Sequence, residues 1–365
     1  MKLNLRIVKD ELVPLTVHAS ITSAITEFPC VYPVPYHEGD HFEAGPLYVA
    51  DAADLPARPR SSAGATLISI GQPPSAYLEE PFDLAYIDEP IGIAELLGKV
   101  SAIFGRYALW GDAMQRAIDE GLPLRQIGEL SEPFLGNPLF LQGWGFKCIF
   151  HIVGSLDGLS EEKIVYYRKV YGGDFPLQDN TYLPLDGVDE LISDAEYIAA
   201  AEKREPTIYS GKARINFRCL YYNVEVDDHF IARLWVDEIK HVFNDRDFAL
   251  IQIVGHYLEK AVRTHDVFDF TRQKDLDFVL VNLLSHRLID AHKIIDVLRY
   301  YHWEMNDSYY CLVLEPRGEM GRETLEGLAL QFEPHLTSEC YTIFDGRLVF
   351  ILNLTRTGVT QDKSL

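Results

Sequence analysis

The chain has 365 residues, and its 33 Lys and Arg against 55 Asp and Glu give a formal net charge of −22. A chain this acidic repels nucleic-acid phosphates unless basic residues gather on one face, and the nearest basic cluster, between Lys203 and Arg218, is interrupted by Glu202 and Glu205. Hydrophobic residues make up 47% of the chain, which is enough for two or three domains with cores of their own.

The five cysteines and the apolar runs bear on the cellular compartment. No two cysteines form a CxxC pair, which is typical of reduced thiols rather than of a disulfide framework or a zinc site. The N-terminus lacks the apolar core of a signal peptide. No apolar run approaches the roughly 20 residues that a membrane span needs. The sequence therefore predicts a cytoplasmic protein without a membrane segment.

Residues 1–90 have the pattern of a small α/β domain. Short apolar runs bounded by Gly, Pro and Asp are typical of buried strands in such a sheet. They lie at residues 47–51, 66–71 and 83–88.

A loop of this segment matches a zinc-protease motif, His37-Glu38-Gly39-Asp40-His41. That chemistry needs a helix, so that both histidines share one face and the glutamate acts as a base. Gly39 and the prolines just before the motif disfavour a helix. We interpret the motif as an acidic surface loop and predict no metal there. The alternative is a loose metal site that includes Glu43.

Residues 91–121 carry the clearest periodicity of the chain, an apolar stripe with alternating spacings of three and four. Its members are Ile93, Leu96, Val100, Ile103, Tyr107, Trp110 and Met114. Two interpretations are open. The stripe predicts either one long helix packed on its own domain or a linker helix that forms a coiled-coil dimer and transmits signals.

Residues 124–265 have the layout of an α+β sensor domain similar to GAF or PAS modules. Two strands meet near Gly143, helices follow, and residues 214–238 have the alternation of a β-hairpin. A helix from about Asn244 closes the segment.

The predicted hairpin also carries the candidate ligand site. Arginines on one strand face suit a carboxylate or a phosphate, and nearby aromatic side chains could form the walls. The candidates are Arg214, Asn216, Arg218, Arg233, Trp235, Trp144, Phe146, Tyr166 and Tyr167. The alternative is that the arginines lie on a solvated face and the aromatic residues belong to the core.

Residues 270–365 predict an incomplete α/β domain, with a helical stretch, a strand, a second helix and a hairpin around Asp345-Gly346. The sequence Gly172-Gly173-Asp174 lies in an earlier segment, and we interpret it as a turn rather than as a cyclase loop. The chain contains no GxGxxG, GxxxxGK[ST] or GxSxG pattern. We therefore expect neither an enzyme nor a cofactor.

Three stretches carry a family resemblance. They are the long segment at 280–315 with the hairpin at 341–355, the N-terminal run at 67–118, and PFLGNPLFLQGWGFKCI at 133–149. Together they resemble the PucR/CdaR type of bacterial transcription regulator. The resemblance implies a PucR-like N-terminal domain, a GAF/PAS-like sensor domain and the beginning of a ferredoxin-like GGDEF-type domain. It also implies a C-terminal helix-turn-helix that these residues do not include.

These expectations combine into one functional hypothesis. The chain is predicted to be the sensory region of a homodimeric regulator, which binds a small effector and controls DNA binding through a domain outside these residues. A structural dimerisation module without a ligand is the first alternative. An enzyme with an unrecognised site is the second.

Overall fold

The computed structural model describes most of the chain. The residues outside the description are 61–63, 80–81, 144–145, 172–174, 180, 182, 184–190, 192–193, 201–202, 211–216, 227–228, 265–278, 282, 286–297, 299–302, 317–323, 326–327, 330, 333–339 and 358–365. The predicted turn at 172–174 is therefore outside the described residues. The chain divides into two compact units, Met1–Thr264 and His265–Leu365.

The first unit begins with a five-stranded mixed sheet. Its strands are β1 (Val17–Ser20), β2 (Tyr32–Pro35), β3 (Pro46–Asp51), β4 (Thr66–Ile70) and β5 (Asp83–Ile87). They lie in the order β1-β5-β4-β3-β2, with β1 antiparallel to β5 and the other pairs parallel. The central strands are almost entirely buried, as their continuous apolar runs predict.

Two helices pack on this sheet. The helix α1 (Leu5–Glu11) begins where the Asn4 side chain accepts a hydrogen bond from the Ile7 amide, a common N-cap arrangement. The second helix, α2 (Ile93–Asp119), is 27 residues long. It contacts β2 and β3.

The apolar stripe of α2 faces the interior of the first unit. Leu96, Val100, Ile103, Tyr107, Trp110 and Met114 are buried, while Ile93 at the helix start is 40% exposed. The chain's own sheet and helices cover the stripe. The structure thus agrees with the interpretation of a helix packed on its own domain, and the stripe is not available as a coiled-coil seam.

The second sheet is antiparallel throughout and also has five strands. They are β6 (Leu139–Gly143), β7 (Cys148–Ile152), β8 (Thr207–Tyr209), β9 (Cys219–Val226) and β10 (His229–Asp237). The order is β7-β6-β10-β9-β8. The helices of this region are α3 (Leu124–Leu135), α4 (Glu161–Tyr171), α5 (Ala195–Ala199) and α6 (Asp245–Thr264). Of these, α3 and α6 pack against each other, with α3 also on β7 and α6 on β9.

The second unit contains a three-stranded antiparallel sheet. Its strands are β11 (Tyr309–Leu314), β12 (Tyr341–Phe344) and β13 (Arg347–Asn353), in the order β11-β13-β12, and a short helix α7 (Leu354–Thr357) follows. The hairpin between β12 and β13 turns at Asp345 and Gly346, which both have positive φ. A two-residue turn of this kind favours Asp-Gly, because glycine adopts positive φ without strain.

The architecture is mixed α/β with three sheets among the described residues, which confirms the predicted fold class. The finer expectations of GAF/PAS-like and GGDEF-like domains, and the segment boundaries drawn from the sequence, stay predictions. No helix in the described part of the chain is both long and apolar enough to cross a membrane.

Candidate functional site

The two faces of the second sheet differ in chemistry. In an antiparallel pair, residues directly opposite each other share a face. Leu141 and Leu234 form one such pair on an apolar face, as do Leu220 and Val236. Gly255 of α6 lies directly against Tyr222 of this face. The apolar face is thus packed on helices.

The opposite face is buried but polar. We call it the polar face. It includes Phe140 and the polar or aromatic residues Gln142, His151, Cys219, Tyr221, Asn223, Arg233, Trp235 and Asp237, and all of these are buried. Burying this many polar groups costs free energy unless each one finds a partner. The partners of these groups therefore show which are structural and which are left for something else.

Arg233 lies at the centre of the polar face and is 3% exposed. Its Nε donates a hydrogen bond to Asn223 Oδ1 at 2.8 Å. Its Nη1 is buried without a hydrogen-bond partner. Among the residues that the structure describes, no carboxylate forms an ion pair with this guanidinium. Burial lowers the pKa of Arg233, opposed by the nearby Tyr197 and Tyr221.

Four aromatic rings surround this guanidinium. The distances from Cζ to the ring centroids are 4.9 Å for Tyr197, 5.2 Å for Tyr221, 5.3 Å for Trp235 and 5.7 Å for Phe230. Aromatic ring faces attract a cation. These rings stabilise the charge without neutralising it.

Side-chain amides hold this cage in place. Asn223 Nδ2 donates to the carbonyl oxygens of Ala200 and Lys203, both at 2.8 Å, and this orients Oδ1 toward Arg233. Gln142 Nε2 donates to the Tyr197 hydroxyl at 2.8 Å, and Gln142 Oε1 accepts from Trp235 Nε1 at 3.0 Å. The site around Arg233 is therefore pre-organised, which favours tight binding.

The helix α5 brings Tyr197 over the sheet. Asp194 caps the helix by accepting a hydrogen bond from the Glu196 amide at 2.8 Å. The Tyr209 hydroxyl donates to the other oxygen of Asp194, also at 2.8 Å, which ties the cap to β8. Tyr197 then stacks on Trp235, with centroids 6.0 Å apart and an angle of 7° between the rings.

A second cluster on the polar face surrounds Asp237. Asp237 Oδ2 accepts hydrogen bonds from the hydroxyls of Tyr167 and Tyr171, each at 2.7 Å. Its Oδ1 accepts from Cys219 Sγ at 3.3 Å. Burial raises the pKa of Asp237 to about 6, although the three donors oppose this rise.

His151 extends this cluster. Its Nδ1 accepts a hydrogen bond from the Leu177 amide at 3.2 Å, so Nε2 carries the proton and lies 3.2 Å from the Tyr167 hydroxyl. Burial, with a smaller contribution from Arg125, lowers the pKa of His151 to about 3. The neutral imidazole and the tyrosines are committed to one another. We therefore assign this cluster a structural role.

The structure brings three of the sequence-predicted ligand residues together. Arg233 and Trp235 lie on the polar face, and Phe146 stacks on Tyr197 with centroids 5.8 Å apart. Of the α4 candidates, Tyr167 contacts Asp237 instead, while Tyr166 is half-buried beside Phe217.

The remaining candidates lie elsewhere. Arg218 precedes β9, so it does not share a strand face, and its exposed guanidinium pairs with Glu238. The predicted site residues Arg214, Asn216 and Trp144 are outside the described residues.

Sequence reasoning missed five residues around Arg233, and one of them is Phe230 in β10. Tyr221 and Asn223 alternate along β9 and pair with Trp235 and Arg233, so the period-two rule could have found them once the hairpin register was known. Gln142 stands at the end of an apolar run, and Tyr197 lies on a short helix far from the hairpin. No local pattern marks these two.

The loop at His37–His41 is not helical in the structure. The His37 amide donates to Asp40 Oδ2 at 2.8 Å, which closes a turn. Among the described residues no group of three or more potential ligands is arranged to hold a metal ion. The arrangement lacks the helical face that the protease motif requires.

No family model matches the chain, and no curated protein matches it. The chain is similar to a solved domain described as a transcriptional regulator of the IclR family. That similarity covers 40% of this chain and 94% of the other, at 13% identity and a TM-score of 0.22. A TM-score this low does not establish a shared fold. The resemblance to PucR/CdaR regulators stays a prediction.

Proposed function

We propose that this chain is the sensory region of a transcription regulator and that a small metabolite binds at Arg233 on the polar face. The observation that carries the proposal is the buried Nη1 of Arg233, which lacks a hydrogen-bond partner. A buried donor without a partner costs about 1–3 kcal/mol. A ligand that accepts this hydrogen bond recovers that free energy.

A binding role agrees with the chemistry of the polar face better than a catalytic one does. Two of its titratable groups, Asp237 and His151, are engaged with each other through the Tyr167 hydroxyl of α4. Catalysis needs such groups to reach a reacting atom. The proposed ligand is therefore a signal, and the regulatory role itself rests on the sequence resemblance.

A bound ligand would act on the surrounding elements through Tyr197. This ring belongs to α5 and contacts Arg233, Trp235 and Phe146. A ligand shifts a conformational equilibrium only through its difference in affinity between the two states. Displacement of Tyr197 and α5 is the difference that we propose.

A thermal-shift screen of the full chain tests this function. The compounds are small anions, cations and neutral molecules, including purines, ureides, organic acids, phenols and amino acids. A ligand at one hundred times its Kd stabilises by roughly 2.7 kcal/mol. We expect one chemical class to raise the Tm with dose, and Tyr197→Ala to remove the response. If no class raises the Tm, the chain is a structural module rather than a sensor.

A further inference from the structure

We propose that the ligand of the polar face is a monocarboxylate, which Arg233 binds edge-on through its Nη1. This inference rests on the proposed function and adds the chemical class of the ligand and the atom that recognises it. Four observations support it: the charge balance of the face, the free end of the guanidinium, the commitment of the other polar groups, and the rings.

The buried positive charge of Arg233 favours an anionic ligand. Arg233 is a buried cation with an unpartnered Nη1, and no carboxylate among the described residues forms an ion pair with it. An isolated buried charge is costly unless an opposite charge and hydrogen bonds compensate it. Among the described members of this face the carboxylate is Asp237, and Tyr167, Tyr171 and Cys219 occupy its oxygens.

The unpartnered Nη1 of Arg233 determines the direction from which a ligand can approach the guanidinium. Nε is bonded to Asn223, and the rings of Tyr197, Tyr221 and Trp235 lie within 5.3 Å of Cζ. A ligand that stacked on the guanidinium would have to displace these rings. A planar carboxylate can instead accept a charge-assisted hydrogen bond from Nη1 in the plane of the guanidinium, without displacing the rings.

The neighbouring polar groups favour one negative charge and an uncharged body. Gln142 uses both its amide atoms on Tyr197 and Trp235, and the Asn223 amide is tied to backbone carbonyls and to Arg233. One carboxylate balances one guanidinium. The aromatic lining then suits an apolar remainder.

The test compares acids with their amides on the full chain. The probes are benzoate, phenylacetate and isobutyrate, each beside its amide, together with inorganic phosphate. An amide keeps the shape of the acid and lacks its charge. We expect at least one acid to raise the Tm by roughly 5–10 °C at one hundred times its Kd, and its amide to have at most a tenth of that affinity.

Two variants assign the response to a residue. Arg233→Met removes the charge and keeps the length of the side chain, so we expect it to fold and to be at least as stable without ligand as the native chain. We expect it to lose the response to the acids. Arg218→Met is the matched control at an exposed arginine paired with Glu238, and we expect it to keep the response.

Each result has a distinct meaning. An amide that binds as well as its acid overturns the carboxylate assignment, and so does a response to the acids that survives Arg233→Met or disappears in Arg218→Met. If neutral compounds raise the Tm and Tyr197→Ala removes that response, the carboxylate assignment fails and the sensor proposal stands. If inorganic phosphate raises the Tm and the carboxylates do not, the carboxylate assignment fails and the ligand belongs to the phosphate class. If no acid raises the Tm, the carboxylate assignment fails, and if no compound of the wider screen does so either, both proposals fail.

Discussion

Asp237 and Arg233 are four residues apart on the same face of one strand and have opposite relations to their surroundings. Asp237 is buried with its oxygens occupied by three donors. Arg233 is buried with Nη1 vacant. The chain itself supplies hydrogen bonds to both oxygens of Asp237, whereas Nη1 of Arg233 has no hydrogen-bond partner. This contrast separates the structural part of the polar face from its candidate binding part.

The ionisation of Asp237 gives a testable pH dependence. The folded chain keeps this carboxyl protonated up to about pH 6, while the unfolded chain loses the proton near 3.8. The folded state therefore binds more protons between these values, and this group lowers the stability as the pH rises through that window. A rise in pKa from 3.8 to about 6 corresponds to about 3 kcal/mol.

Asp237→Asn lacks this ionisation. We expect the unfolding free energy of the variant, relative to that of the native chain, to increase by up to about 3 kcal/mol between pH 4 and pH 7. Denaturant titrations at four pH values measure the difference. Tyr171→Phe removes one donor to Asp237, which raises the pKa of this carboxyl further. We therefore expect the stability of this variant to keep falling with pH above pH 6. A difference that stays constant across this range contradicts the buried-carboxyl assignment.

Whether a single site residue can be predicted from the sequence depends on whether the pairing of its strand can be inferred. The predicted hairpin put Arg233 and Trp235 on its return strand, and the structure places both in β10. The alternation predicted that Arg218 shares a strand face with Arg214 and Asn216, whereas Arg218 precedes β9, which begins at Cys219. Tyr197 could not be found at all, since a short helix contacts the strand only through the tertiary fold.

At the scale of elements, two helical glycines have opposite surroundings. Gly255 on α6 lies against the ring of Tyr222 on β9, and a Cβ there would overlap that ring. Gly98 on α2 is exposed and has no atom within 4 Å of where its Cβ would be. The first glycine permits a helix to approach the sheet closely, and the second has no such role.

Alanine at these positions should change stability in opposite directions. We expect Gly255→Ala to lower the unfolding free energy by roughly 1–3 kcal/mol, because overpacking forces the helix away from the sheet. We expect Gly98→Ala to raise it by roughly 0.5–1 kcal/mol, because alanine has the better helix propensity. Urea unfolding of both variants provides the measurement. A neutral or stabilising Gly255→Ala would show that α6 does not pack this closely.

The long helix shows how far an amphipathic pattern leads. The spacing of Leu96, Val100, Ile103 and Tyr107 predicted a helix with one apolar face, and the structure confirms a helix over Ile93–Asp119. The pattern did not specify whether the apolar face packs on a second copy of the chain or on the same chain. Packing within the first unit buries the stripe, so the predicted homodimer now lacks this seam as its basis.

At the scale of the whole molecule, polar contacts connect the first sheet region to the second within the first unit. Glu11 of α1 accepts a hydrogen bond from the Tyr107 hydroxyl at 2.6 Å and pairs with Arg246 Nη2 at 2.9 Å. Arg106 pairs with the same carboxylate. The Tyr107 donation and these guanidinium groups together outweigh burial and lower the pKa of Glu11. The helices α1, α2 and α6 thereby share one contact region.

This shared contact predicts cooperative unfolding of the first unit. Glu11→Ala removes the acceptor of the Tyr107 hydroxyl and the carboxylate that pairs with Arg246, at a cost of about 1–3 kcal/mol. We expect native-state hydrogen exchange to accelerate in both β4 and β10, because one opening event exposes both sheets. Glu95→Ala, at an exposed pair with Lys99, is the control and should change neither strand. Acceleration confined to β4 would mean that the two sheets open independently.

The sequence by itself determined what is local: the strands with continuous apolar runs, the Asp345-Gly346 hairpin, the long amphipathic helix and the mixed α/β class. These follow from periodicity and turn chemistry, which act between residues close in the chain. Only the tertiary structure decided what covers the apolar stripe of α2 and which side chains surround Arg233. That cage joins residues 142, 197, 221 and 233. Their contacts depend on strand order and register, which local patterns do not specify.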